Sequence, residues 1–107
     1  MGEYDSAQYF YDRMLSSNSE LVSAIGGKVR VELKRKHDAD ARKYAMKAYS
    51  IDSTNSSSLE AMSLVCYFDN RNAESKRYLS DLKRLHPNDS VISSRTEDII
   101  EGKTIYR

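Results

Sequence analysis

Shifted against itself by 34 residues, the chain lays residues of one class onto one another. Ala7 falls on Ala41 and Ser75, Phe10 on Tyr44 and Tyr78, and Met14 on Ala48 and Leu82. Ile25 falls on Leu59, Leu33 on Tyr67, and Val65 on Ile99. The register lies in residue class and spacing, not identity. It points to a unit that recurs and buries its apolar face on its neighbours; a generic antiparallel helical bundle is the alternative that needs no repeat.

Apolar residues recur at helical spacing throughout, which predicts about six helices. The first spans about Gly2 to Ser17, with Tyr4, Ala7, Tyr11 and Met14 on one face. The second spans about Glu20 to Lys36 and is capped by Asn18 or Ser19; the third runs from about Ala39 to Ile51 behind an Asp38 cap. Ser57 and Glu60 have capping-box spacing and open a fourth helix through Phe68. A fifth, about Ala73 to His86, is ended by Pro87, and Asp89 or Ser90 caps a last helix that Gly102 ends. Alternation from Lys28 to Leu33 also reads as helix, because no turn follows to give a strand a partner.

The second-helix positions Ala41, Ala45 and Ala48, the set Leu59, Met62, Ser63 and Cys66, and Pro87 after the fifth helix all fall on the 34-residue frame. In these residues the chain resembles the tetratricopeptide repeat family, whose unit is a helix hairpin with small residues at the close crossing and proline after the second helix. The resemblance implies an all-α fold, a right-handed superhelix of antiparallel hairpins. It divides the chain into a half repeat (1–19), two repeats (20–53 and 54–87) and a capping helix (88–107). Serine replaces proline at Ser19 and Ser53, and Ile25-Gly26 takes the Leu-Gly place only with about three extra residues before Ala41. A start in mid-repeat suggests part of a longer protein, with a first helix free to self-associate.

Catalytic signals are weak. His37 lies near Asp38 and Asp40, the raw material of a metal site, but reads as a solvated turn beside a capping aspartate. His86 has no local partner, and Cys66 falls on an apolar position and reads as a buried thiol. The 16 serines include no nucleophile elbow and read as caps, and Gly26-Gly27 precedes no phosphate-loop Lys. We therefore expect no enzyme, no cofactor, no metal and no small-molecule substrate. The lone cysteine slightly favours a reducing compartment such as the cytoplasm, and a cleaved leader or anchor stays open.

With 17 basic and 16 acidic side chains the whole chain announces no polyanion partner, although residues 28–47 carry eight basic and three acidic ones. The resemblance implies a concave groove lined by first-helix residues, here Arg30, Lys34, Glu60, Leu64, Tyr67 and Phe68. The expected function is a non-catalytic scaffold that holds a peptide or partner helix there. The competing expectation is a helical nucleic-acid-binding domain using residues 28–47. The family's chaperone-tail binders clamp a terminal carboxylate with Lys and Asn; the corresponding Gly26, Arg30, Glu60 and Leu64 do not repeat that set.

Overall fold

The computed structural model describes residues 7–13 and 21–107. Residues 7–13 are helical (α1), followed by α2 (Val22–Lys34), α3 (Asp38–Ile51), α4 (Ser56–Phe68), α5 (Asn72–Leu85) and α6 (Ser90–Ile100). Among the described residues there is no strand, and no helix is long and apolar enough to cross a membrane. The expected Asn18 or Ser19 cap, together with Tyr4 and Met14, lies outside the described residues.

Helix boundaries recur at the sequence period. Val22–Lys34 and Ser56–Phe68 are 34 residues apart at both ends, as are Asp38–Ile51 and Asn72–Leu85, and Ser90 starts α6 a further 34 after Ser56. The same stop ends each even-numbered helix. Lys36 (φ 64°), Asn70 (φ 61°) and Gly102 (φ 75°) adopt left-handed backbone, and the next residue's N–H returns to a carbonyl five positions back. Only the last of these is glycine. Lys36 and Asn70 hold a geometry that is unfavourable for side chains because the paired return bonds satisfy otherwise orphaned carbonyls.

Three start signals differ from expectation. His37, not Asp38, is the N-cap of α3, and Asp38 is the first helical residue. At α4 the Asn55 side chain accepts from the Ser57 N–H at 2.8 Å, so Glu60 is not part of a capping box. Asp89 occupies the capping place of α6, but among the described residues its side chain makes no capping hydrogen bond.

Helix α2 packs on α3 and α4, and α4 packs in turn on α3, α5 and α6. The even-numbered helices thus form a continuous row backed by α3 and α5. Ala41, Ala45 and Ala48 are fully buried, and small side chains let α3 approach both α2 and α4. Val29, Leu33, Ala61, Leu64, Val65 and Ile99 complete that part of the core; Leu59, Cys66, Tyr78, Leu79 and Leu82 form a second part beneath α5. Several serines expected as caps are buried instead. Ser58 Oγ donates to the Ala48 carbonyl (3.0 Å) and Ser75 Oγ to the Ser63 carbonyl (2.8 Å), so hydroxyls stitch helices together where a larger side chain would separate them.

The paired glycines of α2 serve two close approaches. A Cβ at Gly26 would come within 3.2 Å of the Ser57 Cβ, and one at Gly27 would come within 2.2 Å of the Tyr11 ring. Tyr11 therefore lies directly on the α2 backbone. The Lys28–Asp12 ion pair (2.5 Å) and the Gln8 Nε2 bond to Glu32 (2.6 Å) flank this contact and seat α1 on α2.

Candidate functional site

The row of α2, α4 and α6 is tied together at one carboxylate. Glu60, released from capping duty, is only 3% exposed and accepts from Arg30 Nη1 of α2 at 2.9 Å and from Arg95 Nη2 of α6 at 2.6 Å. A buried carboxylate is costly unless paired, and two guanidinium groups satisfy it here. Burial of Arg30 opposes its charge, yet Glu60, aided by Tyr11 and Tyr106, lifts its ionisation above the ordinary arginine value. Lys34, one turn beyond Arg30, is exposed on the same helix. Beside these cations lies a cavity of about 360 Å³, bordered by Tyr11, Gly27, Arg30, Lys34, Arg95 and Tyr106.

A segment of the chain itself lies across this face. Gly102 ends α6 in left-handed backbone, and the non-helical residues that follow turn back toward α2. The Tyr106 hydroxyl donates to the Arg30 carbonyl at 3.2 Å, and Lys34 Nζ stands 4.7 Å from the centre of the Tyr106 ring. Tyr106 also meets Phe68, with ring centres 5.8 Å apart. The Arg107 guanidinium stacks 4.1 Å above the Phe68 ring, donates to the Leu33 carbonyl at 3.1 Å, and reaches both carboxylate oxygens of Asp38. Its side chain is 18% exposed.

The six sequence-derived groove residues thus separate into two sets. Arg30, Lys34, Tyr67 and Phe68 sit at the surface of the row, with Tyr67 and Phe68 paired edge to face at 4.9 Å. Glu60 and Leu64 lie beneath it, 3% and 1% exposed, so Glu60 orients the arginines and Leu64 fills the core. Sequence reasoning missed Arg95, Asp38, Tyr106 and Arg107. The one available signal was an aromatic residue followed by arginine shortly after a helix-ending glycine.

Other candidates resolve differently. Around His37 the carboxylate neighbour is Glu32 rather than Asp38: Glu32, His37 and Asp40 each hold one donor atom within 4.8 Å of the others, and His37 Nδ1 is 3.2 Å from Glu32 Oε2. His86 Nε2 lies 2.5 Å from the Thr54 carbonyl and so links the α5 end to the turn before α4. Burial pushes the Cys66 thiol up from its ordinary value, with Glu74 adding to the shift. Of the eight basic residues in 28–47, Lys28 pairs with Asp12, Arg30 with Glu60 and Arg42 with Asp69, while Lys34 covers Tyr106. Lys43 and Lys47 stand exposed on α3.

Comparison with family models, with curated proteins and with solved structures finds no match to this chain.

Proposed function

We propose that the protein is a non-catalytic interaction module of tetratricopeptide-like build that holds a peptide against the row of α2, α4 and α6. The observation that carries this reading is the non-helical segment seated there: residues 106 and 107 engage Arg30, Lys34 and Phe68 with main-chain and side-chain contacts of the kind a bound peptide makes. The 34-residue recurrence of helix boundaries and the Ala41, Ala45, Ala48 crossing support the repeat architecture. Tyr67 and Phe68 supply contact area, while Arg30 and Lys34 supply orienting charge.

Nucleic-acid binding through residues 28–47 is the competing reading. It is weakened because, among the described residues, at least four of the eight cations already have protein partners. Panning a random peptide library, with oligonucleotides titrated in parallel, tests the two. The groove reading expects selected peptides whose affinity changes little between 50 and 200 mM salt, since few ion pairs form. Oligonucleotide binding that falls on the order of 10³-fold over that range, with no peptide selected, would favour the alternative.

A further inference from the structure

Residues 106 and 107 do more than lie on the row. The Arg107 guanidinium occupies a cup with three walls: the Asp38 carboxylate at the start of α3, the Leu33 carbonyl in the last turn of α2, and the Phe68 ring at the end of α4. Each wall suits a guanidinium in a different way. A carboxylate takes it in a forked pair, a helix C-terminal carbonyl offers negative partial charge, and an aromatic face attracts a flat cation. An ammonium is a point charge and cannot satisfy the fork and the stack together. Next door, the Tyr106 ring lies between Lys34 and Phe68, with its hydroxyl on the Arg30 carbonyl. Ile105 by contrast is 91% exposed.

Building on the groove reading above, we propose that this cup is an arginine-reading pocket. The partner is then a peptide with an aromatic residue immediately before an arginine and no requirement at the preceding position. Residues 103–107 are the resident copy of that motif and must leave for a partner to enter. A short tether holds the resident copy at an effective concentration in the millimolar range, so it competes strongly with a free peptide that makes the same bonds.

The test uses the chain of residues 1–107 carrying Tyr106→Ala and Arg107→Ala, with helicity checked by circular dichroism. Arg107→Ala alone replaces it if the double variant loses helicity. The probe is a fluorescein-labelled heptapeptide of the sequence of residues 101–107, amidated at its end. Saturable binding to the variant is expected, at least about tenfold tighter than to the native chain, whose own segment competes. Lysine in place of the peptide's arginine should weaken binding about tenfold, as should Asp38→Asn in the protein, whereas serine in place of its isoleucine should change nothing. Equal affinity for the arginine and lysine peptides, indifference to Asp38→Asn, or no binding to a folded variant overturns the proposal. Library peptides selected on the same variant distinguish the two levels of the account. Hits lacking the aromatic-arginine pair overturn the pocket and leave the groove standing, and a folded variant that selects no peptide overturns both.

Discussion

Helices α3 and α5 occupy equivalent places in the 34-residue frame yet fill them with different matter. Where α3 buries Ala41, Ala45 and Ala48, α5 buries Ser75, Leu79 and Leu82, and half-buried Tyr44 is matched by buried Tyr78. The difference follows from what each helix must fit against. Helix α3 is held between α2 and α4 and turns its three alanines into those crossings, whereas α5 packs on α4 and the shorter α6, where Tyr78, Leu79 and Leu82 fill a cluster with Leu59 and Cys66 and only Ser75 sits small at the crossing. The period therefore conserves position and leaves volume to the local surroundings.

The comparison yields opposite predictions for the two helices. Truncating α5 should have the largest effect: Leu82→Ala empties a fully buried site and should cost about 2 to 5 kcal/mol in denaturant titration. Enlarging α3 comes next. Ala45→Leu forces apart helices already in contact and should cost about 1 to 3 kcal/mol. If Ala45→Leu melts with the parental protein, α3 does not make a close crossing and the distinction between the helices fails.

A smaller effect sharpens the contrast at α1. Alanine ordinarily stabilises a helix by about 0.5 to 1 kcal/mol relative to glycine, but at Gly27 its methyl would meet the Tyr11 ring. Gly27→Ala should thus destabilise the native chain and stabilise a Tyr11→Ala background. A stabilising effect in both would show that α1 does not rest on α2.

The smallest effect concerns Cys66 in the cluster under α5. Its raised folded-state value means that the native protein keeps the thiol proton after the unfolded chain has lost it. The contribution is full below the unfolded thiol value of about 8.5 and is lost as pH rises through that value toward the folded one. Stability should decline slightly more steeply above this point in the native protein than in Cys66→Ala. Alkylation by iodoacetamide should also be slower than for an unfolded control, and equal rates would place the thiol outside the core.

Helix number and position were legible because they depend on local facts: apolar spacing, the polar turns at Asp52 to Ser56 and Asn70 to Asn72, Pro87 and Gly102. The caps were less legible, because Asp38 and Glu60 have distant partners. Asp38 meets Arg107, and Glu60 meets Arg30 and Arg95, none of which a short window reveals. Burial of Glu60 and Leu64 in the candidate groove escaped for the same reason: periodicity marks a helix face but not which neighbours close over it. Buried serines such as Ser58 and Ser75 look in sequence like any other turn-loving residue, and only the crossing gives their hydroxyls a carbonyl.

If the row of α2, α4 and α6 is the working surface proposed above, a bound peptide must change that face. Amide hydrogen exchange and limited trypsin digestion of the full chain, with and without a library-selected peptide, read that change. New protection is expected in the last turns of α2 and α4, around Arg30 to Lys34 and Leu64 to Phe68, together with faster trypsin cleavage after Lys103 as the side chains of Tyr106 and Arg107 are displaced from Arg30, Phe68 and Asp38. Protection confined to α3 around Arg42 to Lys47, with cleavage after Lys103 unchanged, would place the site on the basic outer face instead.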